Sequence, residues 1–254
     1  MSAAHAPESI ILRDSLASTE RLLSEVIARA GQLHAFTLLP DLEKCALAAA
    51  RAADCLTDEW SGGRNELLHE LRNHIGAMSG YLELLLEDRE EIDRRLLDDL
   101  DALRAHVGEL LAAMTPEANT ALTHSTKLPA GERGTLLVID DNELSRELLG
   151  RYLRRQGHTV LTAASGAEAM TILGGRTVDL IFLDLVMPEM SGLELLTRIK
   201  SDERLRAVPV IIVSGIADDE GVISCIEAGA DDYLSKPSSL TLLQARLNAG
   251  LERN

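Results

Sequence analysis

The run Leu136-Leu137-Val138-Ile139 ends on Asp140-Asp141, and the run Leu180-Ile181-Phe182-Leu183 ends on Asp184. Apolar runs this short, closed by acids, are the pattern of strands buried on both faces of a parallel sheet. Two more follow: Val210-Ile211-Ile212-Val213 ends at Ser214, and Tyr233-Leu234-Ser235 ends at Lys236-Pro237. Amphipathic segments of about ten to fifteen residues separate the runs, which reads as βαβ units from Thr135 onward. The carboxyl ends of such strands line one edge of the sheet, where ligands bind. Asp140, Asp141, Asp184, Ser214 and Lys236 are therefore expected together. Three gathered carboxylates repel one another, and Mg²⁺ relieves that repulsion because it takes oxygen ligands and keeps exchangeable waters. Carboxylates, a divalent ion, a hydroxyl and an ammonium together suit phosphoryl transfer to a carboxylate oxygen.

Upstream the apolar residues recur at helical spacing instead, with no strand-like run. Leu71, Ile75, Met78, Leu82 and Leu85 repeat at heptad spacing, and so do Leu96, Leu100, Leu103, Val107, Leu110 and Met114. The two seams predict a helical hairpin over about Arg64–Asp88 and Glu91–Met114. Two earlier helices are expected before the Ser61-Gly62-Gly63 break, with Pro40 between them. One hairpin leaves much of both stripes wet, so pairing two hairpins into a dimeric four-helix bundle is expected; cover by the first two helices of the same chain is the alternative. The expected domains are N-terminal helices at 1–62, the hairpin at 63–114, a Pro- and Gly-containing linker at 115–134 and the α/β domain at 135–254.

Composition narrows the partners. The 254 residues carry a formal net charge of −16, which argues against a nucleic-acid or anionic membrane partner. Aromatics are only 2%, too few for base-stacking platforms. The three cysteines form no C-x-x-C pair, and no long apolar run or signal segment is apparent, so a cytoplasmic protein is expected.

VIDDNELSRELL, DLIFLDLVMPEMSGLELLTRIK, PVIIVSG and EAGADDYLSKP closely resemble the receiver domain of two-component response regulators over about Thr135–Leu251. The resemblance implies a flavodoxin-like, doubly wound sheet of five parallel strands in the order 2-1-3-4-5. It implies that Asp184 is the phosphoacceptor. Asp141 would bind Mg²⁺ directly, Asp140 mostly through water, and the Val186 backbone carbonyl would add an oxygen. Lys236 would contact the phosphoryl oxygens, Ser214 would be the switch hydroxyl and Tyr233 the aromatic that turns inward with it. Their movement would switch the face made by the receiver's fourth helix, fifth strand and fifth helix. Val186 and Ile216 are apolar where they flank the acceptor, which predicts slow loss of phosphate.

A second candidate lies on the first hairpin helix. His69 falls two residues before the seam position Leu71, which places it on the flank of the bundle, where an exposed neutral imidazole can act as a nucleophile. Glu70 is available to accept its proton, and Asn73 one turn further on can orient a water. His-Glu-Leu-Arg-Asn followed by Ile-Gly-Ala-Met-Ser-Gly-Tyr-Leu-Glu-Leu-Leu resembles the H box of histidine kinase dimerisation domains, with His74 in place of a common proline. The resemblance implies a phosphohistidine at His69 and a Glu70–Asn73 pair for kinase or phosphatase chemistry. No ATP-binding motif is apparent, so self-catalysed phosphoryl acceptance is the expected activity. A histidine kinase or phosphotransfer protein would be the donor, and the helical domain would dimerise or serve as output. Two alternatives stand beside this: a phosphorelay or phosphatase using His69 with Asp184, and the regulatory part of a longer enzyme such as a nucleotide cyclase.

Overall fold

The computed structural model describes residues 7–57, 63–87, 89–114, 133–215, 219–236 and 240–251. The chain forms two compact units, divided at Thr123–His124. Of the expected linker only Arg133 and Gly134 are described; Ser61, Gly62, Asp88, Ile216 and Pro237 also lie outside the described residues.

The first unit holds α1 (Pro7–Gln32), α2 (Leu39–Cys55), α3 (Arg64–Glu87) and α4 (Arg94–Met114). Pro40 does not separate α1 from α2 but sits in the first turn of α2, where a missing N–H costs nothing. The break comes earlier, where His34 takes a φ of 56°. A single 3₁₀ turn at Arg89–Glu91 delays α4 to Arg94.

The seams are buried as their spacing predicts: Leu71, Ile75, Met78, Leu82 and Leu85 on α3, and Leu96 to Met114 on α4. Their cover comes from within the chain. α1 presents Leu16, Leu23, Val26 and Ala30, and α2 presents Leu42, Cys45, Ala48, Ala49, Ala52 and Cys55. The small residues of α2 let α3 come close, and the Cys45 thiol reaches the Met78 carbonyl at 3.7 Å. Each helix packs on the next and α4 returns to α1, closing a four-helix ring in one chain. The expectation of a dimeric bundle rested on wet stripes, and α1 and α2 remove that need. No helix among the described residues is long and apolar enough to cross a membrane.

The second unit is a five-stranded parallel sheet in the order β2-β1-β3-β4-β5. Its strands are β1 (Thr135–Ile139), β2 (Thr159–Ala163), β3 (Leu180–Leu183), β4 (Val210–Ser214) and β5 (Asp232–Ser235). Helices α5 (Glu143–Arg155), α6 (Gly166–Gly175), α7 (Gly192–Ser201), α8 (Asp219–Glu227) and α9 (Leu240–Leu251) alternate with them. β3 and β4 are buried at every position, whereas edge strand β2 is mostly half-exposed, which is why it gives no continuous apolar run. Side-chain caps start three helices: Asn142 accepts from the Ser145 amide, Ser165 from Glu168 and Ser191 from Glu194. Glu168 also reaches back to the Ala164 amide at 2.7 Å, fixing that turn further.

Register decides what meets at the carboxyl edge. Ile139 pairs with Leu183, so the next residues, Asp140 and Asp184, emerge side by side. Ser214 pairs with Ser235, so Lys236 follows one step beyond the end of β4.

Candidate functional site

Asp140, Asp141 and Asp184 bring one carboxylate oxygen each to within 4.8 Å of one another. Asp140 is tied on both sides. Its amide donates to the Ala163 carbonyl at 3.2 Å, and its Oδ1 accepts from the Asn142 amide at 2.9 Å. Lys236 Nζ lies 2.7 Å from Asp140 Oδ2 and 2.7 Å from Asp184 Oδ2. The Lys236 amide donates to the Ser214 carbonyl at 2.7 Å, which brings its side chain back across β4 towards the acids. Asp184 Oδ1 accepts from the Val186 amide at 3.4 Å.

Burial gives this cluster its electrostatic character. It pushes the Asp140 carboxyl up to about 6; the Lys236 ammonium opposes that rise and the Asp184 charge adds to it. Burial also opposes the charge on Lys236, but the Asp140 and Asp184 carboxylates outweigh it and hold the ammonium above its ordinary pKa. Lys236 bonds one oxygen each of Asp140 and Asp184, and the three acids still bring oxygen atoms close enough to share an ion. That oxygen-only donor set fits Mg²⁺, which Asp140, Asp141 and Asp184 would hold.

Access is uneven. Asp141 is exposed, whereas Asp184 is only 1% exposed and lies against the Lys236 ammonium. Ser214 is fully buried at the end of β4, while Tyr233 is half-buried and packs on the sheet core. Val186 is 36% exposed beside Asp184.

The loop after β3 is held by a close approach. Gly192 donates to the Leu185 carbonyl at 2.9 Å, and a Cβ there would lie 2.6 Å from Leu185 Cα and overlap the Asp184 carbonyl. Glu189 takes a φ of 65° in the same loop. Gly192 thus lets the chain fold tightly behind Asp184.

The helical candidate differs from its expectation. His69 is 8% exposed, not on an open flank, and Asn73 and His74 are buried with it. Both α2 and α4 pack along α3, so positions beside the seam are covered as well as the seam itself. Asn73 Nδ2 lies 3.0 Å from His69 Nε2, so Asn73 meets the imidazole rather than open solvent. Glu70 Oε2 is 3.6 Å from His74 Nε2. Burial, with the nearby Arg51 charge, lowers the His74 pKa to about 4 against the opposing pull of Asp54.

The sequence reading passed over Arg146. Its guanidinium donates to the Asp140 carbonyl at 2.6 Å and to the Asp141 carbonyl at 3.2 Å. The available signal was a cation in the first turns of a helix, where the dipole favours anions.

Comparison with known proteins agrees with the second unit. The family model described as "Response regulator receiver domain" matches residues 136–248. Two-component response regulator ORR3 of Oryza sativa subsp. indica is 36% identical over 114 residues, 44% of this chain and 87% of that protein. Transcriptional regulatory protein AfsQ1 of Streptomyces coelicolor is 40% identical over 119 residues, 47% of this chain and 52% of that one. A cyclic di-GMP phosphodiesterase of Thermotoga maritima is 35% identical over 117 residues, 46% of this chain and 31% of that one. The chain thus spans about half or less of several curated relatives it matches. Among solved structures, a receiver domain from a Syntrophus aciditrophicus histidine kinase is 33% identical, with a TM-score of 0.43 over 48% of this chain and 94% of that one.

Proposed function

This chain belongs, through residues 136–248, to the response regulator receiver family, and we propose that Asp184 accepts a phosphoryl group from a histidine kinase or phosphotransfer protein. The observation that carries the reading is the meeting of three carboxylates within 4.8 Å, with Lys236 Nζ 2.7 Å from two of them.

Each residue then has a task. An Asp184 oxygen attacks phosphorus as the bond from phosphorus to the donor's imidazole nitrogen breaks, leaving an acyl phosphate on Asp184. Lys236 exchanges its contact with the carboxylate for one with a phosphoryl oxygen. Mg²⁺, if held by the Asp140, Asp141 and Asp184 carboxylates and the Val186 carbonyl, would offset charge on the transferring group. The Ser214 hydroxyl donates to the new phosphate, and Tyr233 follows into the space it leaves, altering the face of α8, β5 and α9.

We assign the helical unit to output or self-association. Its seams are covered within one chain, so a homodimer would use another surface. A relay or phosphatase reaction through His69 would first have to bring the imidazole out of its packing. The matched relatives include transcriptional regulators and a phosphodiesterase, so the shared receiver leaves the output open, including that of a longer enzyme. The strong negative charge favours a protein partner over nucleic acid or membrane.

The test is incubation with a small phosphodonor and Mg²⁺, followed by separation of alkali-labile from alkali-stable phosphate. Label that is alkali-labile, lost in Asp184→Asn and kept in His69→Gln is expected. Acid-labile, alkali-stable label lost in His69→Gln would favour the relay.

A further inference from the structure

α5 begins with a conflict. Its dipole favours anions at the N-terminus, yet Arg146, the fourth residue of the helix, sets a guanidinium there. A residue that breaks a local rule needs a compensating role. The contacts supply one: a single guanidinium nitrogen, Nη1, donates to the Asp140 carbonyl at 2.6 Å and to the Asp141 carbonyl at 3.2 Å.

These carbonyls lie where the sheet ladder has ended and the helix has not yet begun. β1 pairs with β2 and β3 only as far as Ile139, and the first carbonyl of α5 to accept within the helix is that of Asn142, from the Arg146 amide at 3.0 Å. Arg146 therefore bridges the turn from both ends, with its amide on the capping residue and its side chain on the two acids. The cation stands on the backbone side of the pair. It offsets the clustered negative charge without taking a carboxylate oxygen, unlike Lys236, which does occupy Asp140 Oδ2 and Asp184 Oδ2.

We propose that Arg146 is a positioning residue that fixes the Asp140–Asp141 turn so that both carboxylates face the Mg²⁺ site. The inference rests on the receiver reading for its metal but not on phosphorylation of Asp184. Without Arg146 the turn has more conformations, and holding the ion costs the entropy of selecting one. The loss should appear in Mg²⁺ affinity more than in the rate once the site is filled.

The test uses the full chain as wild type, Arg146→Ala and Arg146→Lys. Calorimetric Mg²⁺ titration reads binding directly, and labelling from a small phosphodonor across Mg²⁺ concentrations reads half-saturation and maximal rate. Arg146→Ala should weaken Mg²⁺ binding about five- to tenfold and raise half-saturation in parallel, with a smaller fall in maximal rate; Lys, a donor from a similar reach, should recover part of the loss. An unchanged Mg²⁺ affinity in Arg146→Ala, or a loss confined to maximal rate, overturns the proposal. Wild type that binds Mg²⁺ but takes no label overturns the phosphoacceptor reading and leaves the affinity comparison to decide the role of Arg146. If Arg146→Ala is misfolded by circular dichroism, the Arg146→Lys and Arg146→Gln affinities decide: values equal to wild type in both overturn it.

Discussion

The receiver and the helical unit both bury titratable groups, and the two do so with opposite consequences. In the receiver, Asp140, Asp184 and Lys236 stand at the ends of strands, with charge facing charge and the exposed Asp141 beside them. In the helical unit, His69, Asn73 and His74 lie between packed helices, where burial drives His74 towards its neutral form. An edge of a sheet can gather charge and leave an approach for an ion. Between packed helices burial instead works against charge on the His74 imidazole. Buried polar residues thus gather around opposite charges in one unit and lie within helix packing in the other.

The largest expected effect is on labelling. Asp184→Asn should reduce alkali-labile phosphate from a small donor at least a hundredfold, as for any reaction that loses its nucleophile, while His69→Gln changes it less than twofold. Comparable losses in both would erase the distinction between the units.

Gly192→Ala should destabilise the receiver by about 2–4 kcal/mol, because its methyl must displace the backbone of Asp184 and Leu185. Hydrogen exchange should show this in β1 and β3 and leave α3 and α4 unchanged.

Acid should separate the units by the sign of their response. His74 has its folded pKa lowered from 6.5 to about 4, so the unfolded chain binds the proton first. Stability of the helical unit should fall as pH drops from about 6.5 to 4, by up to roughly 3 kcal/mol, and His74→Gln should flatten that slope. Asp140 is the reverse case. Its folded pKa is raised from 3.8 to about 6, so the folded receiver keeps a proton the unfolded chain has lost. Its contribution is favourable at low pH and is lost as pH rises through about 6 without Mg²⁺. Denaturation followed by exchange in peptides from each unit checks both signs.

The smallest effect is thermal. Mg²⁺ at about a hundred times its dissociation constant should stabilise the receiver by roughly 2.7 kcal/mol and leave the helical unit where it was. Equal stabilisation of both units would indicate binding outside the acid cluster.

The receiver was legible because strands impose a short, rigid grammar. Four apolar residues followed by an acid fix both a strand and the place where its side chain emerges, and pairing of Ile139 with Leu183 does the rest. Even so, burial of Asp184 against Lys236 was not legible, since it depends on the path of the chain back from Ser214. Arg146 was missed because its partners are backbone carbonyls, which no side-chain pattern announces. In the helical unit the heptad seams gave the buried stripes but not their cover. A spacing of three and four tells which face is apolar; it does not tell whether α1 and α2 or a second chain will lie on it. That uncertainty placed His69 at a flank, and the packing of α2 along α3 closed it.

Trapping the acyl phosphate tests the central claim most directly. Borohydride cleaves an aspartyl phosphate and leaves a mass change on the residue that carried it. After phosphodonor and Mg²⁺ treatment, the change should map to Asp184 alone and vanish when a chelator removes the metal. A mass change at any other residue, or one at Asp184 that persists without divalent ions, would contradict the account.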